Sequence, residues 1–358
     1  MPHAKKPAKP CSCGSCAPVR SDPSCGCQTE SHPVKILPAS GTITFAENLD
    51  HFLARWGVNR MGHLVVPGLY RLGAPTSDSP VIVTANYTLS FDAVRASLAG
   101  IDCLILVLDT KGVNVWCAAG KGTFGTEELV RRIEVTGLAS AVRHRELVLP
   151  QLGAPGIAAH EVQKRSGFRV EYGPVRARDL PKYLQTHSAT PEMRRVEFPI
   201  VDRVILTPVE VVHVAVPTIV AMIALYLIAG PAGSLAALAA VLGGTVIFPA
   251  LFPFLPTKDF STKGILLGLI IAIPFALDFA KNRALPQWAI ILSALLPLLL
   301  IPAVTGYLSL NFTGCSTFTS RTGVKKEIFR YVPSMVFMAI AGIIIAAALG
   351  VTRLMGVI

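Results

Sequence analysis

The sequence predicts an α/β domain built on a largely parallel sheet, followed by an all-α transmembrane domain of about five helices. Two observations carry this reading. Through residues 36–205, short apolar runs rich in β-branched residues alternate with helix-like segments. From Val211 onward long apolar runs take over, and the chain as a whole is 52% hydrophobic and only 15% charged, with a mean hydropathy of +0.54. That composition excludes a disordered chain and points to a membrane protein.

Residues 1–35 are rich in Pro, Ser, Gly and Cys and have almost no large apolar side chains. They cannot bury a core, so the composition predicts a flexible Cys-rich arm. The basic start MPHAKKPAKP has no apolar stretch behind it, so the first half of the chain is expected in the cytoplasm. Cysteines there bind metal, react or sit buried more readily than they form disulfides. The chain has eight of them, five in the arm (Cys11, Cys13, Cys16, Cys25, Cys27) and then Cys103, Cys117 and Cys315.

Residues 36–205 are expected to form one domain. Strands are predicted at 79–85 (SPVIVTA), 103–109 (CLILVLD), 146–150 (ELVLP) and 168–172 (FRVEY). Helix-like segments separate them near 90–99, 125–136, 156–166 and 178–184. Continuous apolar strands of this kind are buried on both faces, as in a parallel sheet covered by helices. Cys103, set among Leu, Ile and Val, is expected in the core.

Residues 206–358 are expected in the membrane, with spans at about 209–229, 233–254, 264–280, 287–309 and 332–350; the third is the shortest. The net charge of +11 does not cluster with aromatics as a nucleic-acid surface would. It has a topological meaning instead. With the N-terminus inside, Lys258, Lys263, Arg321, Lys325, Lys326 and Arg330 fall on cytoplasmic loops, and Lys281, Arg283 and Arg353 on the opposite side. The asymmetry agrees with the positive-inside rule and predicts a multi-pass protein of the cytoplasmic membrane with its α/β domain inside.

The stretch NVWCAAGKGTFGTEEL, residues 114–129, follows a predicted strand and opens a helix. It is not a phosphate loop of the Walker type: Val115 stands where that motif needs Gly, and Gly122 follows Lys121 where it needs Ser or Thr. Its position at the carboxyl ends of strands is where open α/β sheets place ligands. Taken alone, Cys117 reads as a buried small hydrophobe. At a helix start, the positive end of the dipole favours a thiolate, which is a soft ligand for a transition metal. The residues by themselves lead to a reactive or metal-ligating thiol facing a ligand crevice.

Asn114-Val115-Trp116-Cys117-Ala118-Ala119-Gly120-Lys121 resembles the cap-helix signature of the corrinoid-protein family of microbial mercury methylation. VTANYTLSFD (83–92) and YGPVRARDLP (172–181) are similar to that family as well. The wider domain resembles the corrinoid-binding domain of the corrinoid iron–sulfur protein of acetyl-CoA synthesis. The order of a corrinoid domain and then five spans is also that of the mercury-methylating family. The resemblance implies a cobalamin cofactor, with Cys117 as the lower axial ligand of its cobalt. It also implies a cap helix formed by Asn114, Val115, Trp116, Ala118, Ala119, Gly120 and Lys121, with further contacts from Thr84, Asn86 and Ala177.

The activity it implies is a membrane-anchored, corrinoid-dependent methyltransferase that passes a methyl group from cobalamin to Hg(II), forming methylmercury. The implied partners are a small ferredoxin-like reductant with two 4Fe–4S clusters and a methyl donor of the methyl-tetrahydrofolate pathway, with the lipid bilayer around the spans and no nucleic acid. The rival readings are a corrinoid methyl carrier of the acetyl-CoA (one-carbon) pathway and a non-catalytic corrinoid- or metal-binding membrane module. Cys11, Cys13, Cys16, Cys25 and Cys27 do not match common ferredoxin spacings. With Cys315, which lies in a polar loop at 311–327, they are candidates for Hg(II) capture.

Overall fold

In a computed structural model of the protein, residues 35–59, 61–281, 284–314, 316 and 320–356 are described. Cys11, Cys13, Cys16, Cys25, Cys27 and Cys315, the candidates for Hg(II) capture, lie outside them. Strands β1 (Ile36–Ala39), β2 (Gly68–Leu72), β3 (Val81–Ala85), β4 (Cys103–Leu108), β5 (Glu146–Leu149) and β6 (Arg169–Tyr172) make one sheet. Their order is β1-β2-β4-β3-β5-β6. Only the β2–β4 pairing is antiparallel.

Every residue of β3 and β4 is buried, as expected of central strands with both faces covered. Ile105 and Leu106 are fully enclosed, each worth about 1.5–3 kcal/mol of burial. The core also holds Cys103.

The four helix-like segments appear as α2 (Thr88–Ser97), α4 (Thr126–Thr136), Ala159–Ser166 and Leu180–Thr186, and the expected cap helix is α3 (Val115–Lys121). The sequence reading missed β1, β2 and α1 (Phe45–Arg55). β1 and β2 are short and broken by Pro38 and Arg71, which hides their alternation. α1 begins with a reciprocal cap, in which the Thr44 side chain accepts from the Glu47 N–H and Glu47 reaches back to the Thr44 backbone.

Four described helices are long and apolar enough to cross a membrane: Ile200–Phe254, Phe260–Ala280, Gln287–Gly314 and Thr322–Leu354. The first has 55 residues, about 80 Å if it were straight, far more than the roughly 30 Å of a bilayer core. It doubles back at Gly230, whose φ of 70° and ψ of −161° are non-helical. A Cβ placed on Gly233 would lie 3.0 Å from the Leu225 carbonyl oxygen, although a straight helix sets residues eight apart about 12 Å from each other along its axis. The first two expected spans are therefore two helices joined directly by a tight reversal at Gly230.

The third span begins at Phe260, earlier than expected. Lys263, assigned above to a loop, is a buried helical residue whose ammonium donates to the Phe252 carbonyl at 2.8 Å. Lys325, Lys326 and Arg330 likewise lie on the helix Arg321–Leu354, not on a loop.

Candidate functional site

The carboxyl ends of β3 and β4 release two loops that are tied together by one side chain. Asn86, almost fully buried, accepts at Oδ1 from the Thr110 N–H (3.0 Å), the Thr110 hydroxyl (2.8 Å) and the Gly112 N–H (3.1 Å). Lys111 and Gly112 both have positive φ, so the loop turns sharply there into Asn114. Asn114 caps α3, its Oδ1 accepting from the Cys117 N–H at 2.9 Å. At the far side, the Asp109 N–H donates to Glu128 Oε1 on α4 at 2.9 Å, and Arg132 donates to the same oxygen. Burial pushes the Glu128 carboxyl up, but the Asp109 N–H and the two guanidinium groups of Arg132 and Arg131 outweigh it and hold it below the ordinary range.

α3 is clamped from beneath. Ala118 and Ala119 are buried, and a Cβ on Gly156 would collide with the Phe124 carbonyl and come within 3.1 Å of the Ala119 Cα. Only glycine permits that approach. Cys117, about 100° from Ala118 and 160° from Ala119 around the helix, turns away from that packed side, and with Asn114 and Lys121 it meets the open side of the helix.

That face borders a cavity of about 700 Å³, within the size range of small-molecule and cofactor sites. Of the residues named from the sequence, Thr84, Asn114, Val115, Trp116, Cys117, Lys121 and Ala177 line it. Asn86, Ala118, Ala119 and Gly120 do not. Asn86 is the strut below the loop, the two alanines pack inward, and Gly120 is exposed outside the cavity.

The sequence reading missed residues that come from outside the motif. Arg55 and His63 enter from α1 and the loop after it, Tyr87 and Ser90 from the start of α2, and Ile205, Leu206, Val209 and Gly314 from the membrane part. Burial draws the Arg55 guanidinium below its ordinary range, against the opposing charges of Tyr87 and Asp202. The amphipathic pattern of α1 was the one available signal for Arg55.

The donors that could meet a soft metal in this cavity are few. His63 lines it, but both ring nitrogens face acceptors, Nδ1 the Asp50 carboxylate at 2.8 Å and Nε2 the Val58 carbonyl at 2.6 Å. Met61 is a thioether on an exposed loop. Cys117 is half-buried on a capped helix. Among the described residues no three His, Cys, Asp or Glu side chains converge on one point.

Residues 59–184 match the family described as CO dehydrogenase/acetyl-CoA synthase delta subunit. This stretch is similar to subunits of acetyl-CoA-forming complexes. The gamma subunit of the acetyl-CoA decarbonylase/synthase complex of Methanopyrus kandleri is 39% identical over 123 residues, 34% of this chain and 26% of the relative. The gamma subunit from Methanosarcina acetivorans is 31% identical over 125 residues, 33% and 26%. That from Methanocaldococcus jannaschii is 34% identical over 116 residues, 32% and 23%. The chain thus spans about a quarter of the length of these curated relatives. The matched stretch includes β2 to β6 and α3, hence the loops of the cavity, but not α1 or the membrane helices.

Proposed function

We propose that the protein is a membrane-anchored, corrinoid-dependent methyltransferase whose cofactor sits in the cavity over α3. Similarity to subunits of an acetyl-CoA decarbonylase/synthase complex supports a corrinoid in this domain, and the half-buried Cys117 thiol facing the cavity is a donor suited to its cobalt. Bound there, a corrinoid supplies a cobalt centre that takes a methyl group from a one-carbon donor and gives it up to an acceptor. Cys117 would ligate that cobalt through sulfur. Asn114 fixes the first turn of α3 and so the position of the thiol, and Val115, Trp116, Lys121, Thr84 and Ala177, which line the cavity, would supply further contacts to the cofactor.

The single observation that carries this reading is Cys117: a thiol on a capped, clamped helix, facing a cavity in which the histidine is already committed to two acceptors. A thiolate donates more electron density than a neutral imidazole, which suits release of the methyl group to a soft electrophile. We therefore take Hg(II) as the acceptor and methylmercury as the product. The second reading, a methyl carrier of the acetyl-CoA pathway, is favoured by the complexes to which the relatives belong. Both readings call for a low-potential reductant, for which we propose a small ferredoxin-like protein with two 4Fe–4S clusters, and for a methyl donor enzyme of the methyl-tetrahydrofolate pathway. The charge asymmetry of the chain supports a cytoplasmic site. Capture of Hg(II) by Cys11, Cys13, Cys16, Cys25, Cys27 and Cys315 belongs to the same proposal.

The full chain, purified and loaded with methylcobalamin, tests this. With reductant and Hg(II) it should form methylmercury over many turnovers when a methyl donor is supplied. Failure with Hg(II) alongside transfer to an acetyl-CoA synthase would move the assignment to the carrier reading. Failure to retain cobalamin at all would remove both.

A further inference from the structure

α1 carries an apolar stripe that nothing else in the described chain covers. Phe45, Leu49, Phe52 and Trp56 recur at spacings of four, three and four, which places them on one face. All four are exposed, Phe45 by 85% and Phe52 by 55%. The charged groups of α1 turn the other way: Glu47 pairs with Arg95 at 2.5 Å, Asp50 with His63 and His51 with Asp92. The stripe is therefore free of charge as well as exposed.

Its end lies beside the first membrane helix. A Cβ on Gly57 would lie 3.1 Å from Val209 Cγ2, near the start of the helical run Thr207–Leu242. The exposed apolar surface continues from Trp56 onto that helix at Val212 and Val216.

We propose that α1 is an interfacial membrane helix, its Phe45–Leu49–Phe52–Trp56 face seated among the headgroups and upper acyl chains of the bilayer. Three features favour lipid over a protein partner. The stripe is continuous with a surface already apolar enough for the membrane, it is rich in aromatics, and Trp56 lies level with the first residues of a span, where tryptophan collects. The opposite side of α1, through Ala54 and Arg55, walls the cavity. Seated in this way, α1 fixes the cavity against the membrane surface by a contact separate from the chain connection at Ile205.

The test uses the full chain in nanodiscs of phosphatidylcholine and phosphatidylglycerol, with and without brominated acyl chains. The signal of Trp56 is the difference between the wild-type protein and Trp56→Phe. Brominated lipid should remove most of that emission, and aqueous acrylamide should remove little of it. In a Phe45→Glu/Phe52→Glu variant, whose changes touch only exposed positions, the emission should return in brominated discs. Emission that survives brominated lipid in the unaltered stripe overturns the proposal; acrylamide then tells open solvent from cover by a second copy or another protein. Quenching unchanged by the double variant overturns it too.

Discussion

Strand β4 and helix α3 each carry a cysteine, and the two thiols have opposite surroundings. Cys103 starts a strand paired on both sides; it is fully buried, and burial, with a smaller contribution from Asp102, pushes its thiol up to about 12. Cys117 lies beyond the opposite, carboxyl end of the same strand, on a helix seven residues long, its backbone held by Asn114 and its side chain beside a 700 Å³ cavity. The first is protonated and packed, the second accessible and oriented. Residue type is the same; the depth in the sheet decides which one can act as a ligand. The cap at Asn114 and the packing under Ala118 and Ala119 hold the first turn of α3 against the cavity.

The largest effect expected from this contrast is at Cys117. Cys117→Ala should keep part of the bound cobalamin, since many other residues line the cavity, but methyl transfer to Hg(II) should fall to background. Cys117→His should retain cobalamin, give an imidazole-like optical spectrum and lose most of the transfer. Wild-type rates in Cys117→Ala with cobalamin bound would make the thiol a packing residue like Cys103.

Next comes the strut. Asn86→Ala leaves the Thr110 N–H and the Gly112 N–H without their shared acceptor, while the Thr110 hydroxyl keeps the Val113 carbonyl at 2.6 Å. At about 1 kcal/mol for each bond, with a further cost for buried groups left unpaired, the loss is roughly 3 kcal/mol. Hydrogen exchange should speed up in residues 109–114 while β4 stays protected. Unchanged exchange there would mean that α3 is positioned from below alone.

These two sites differ in how readable they were. The motif at 114–121 was legible as a contiguous run, yet only the first turn of α3 and Lys121 meet the cavity. Three of its eight residues, Ala118, Ala119 and Gly120, accordingly fall outside the cavity. Asn86 was legible as a candidate but not as a strut, since its partners lie 24 and 26 residues away. β3 and β4 were plain because burial on both faces demands unbroken apolar runs. Arg55, Ile205 and Val209 were not readable as site residues at all, because only tertiary folding brings α1 and the membrane helix to the sheet ends. In the membrane part the apolar lengths were clear. The reversal at Gly230 fell in the expected gap between the first two spans, but that the two helices would meet there without a longer loop depended on a φ of 70° that no hydropathy pattern records.

A smaller effect is expected from acid. Glu128 is held below the ordinary carboxylate range, so it is ionised in the folded state at pH values where the unfolded chain takes up a proton. Its contribution is complete above the unfolded value of about 4.3 and is lost as the pH falls through the lower, folded value. Glu128→Gln should cost about 1 kcal/mol at neutral pH through weaker bonds to the Asp109 N–H and Arg132. It should also flatten the decline in melting temperature below about pH 4.3. An acid limb identical to that of the wild type would place the titration elsewhere, with Glu47, also held low by its Thr44 cap, the next group to replace.

The smallest effect should come from Cys103→Ala. The change removes one sulfur from a fully enclosed position between Leu72 on β2 and the chain of β3. It leaves a void of about one methyl group, and such deletions cost on the order of 1 kcal/mol. No polar group is stranded, because the sulfur is a weak donor that packs as a hydrophobe. The variant should lose a little thermal stability and keep the optical spectrum of bound cobalamin and the rate of methyl transfer. In the native protein, a thiol-specific reagent followed by peptide mapping should modify Cys117 and spare Cys103, and bound cobalamin should protect Cys117. If Cys103→Ala altered the cobalt spectrum while stability held, the sheet end would be coupled to the strand's buried start, and the separation drawn between the two cysteines would fail.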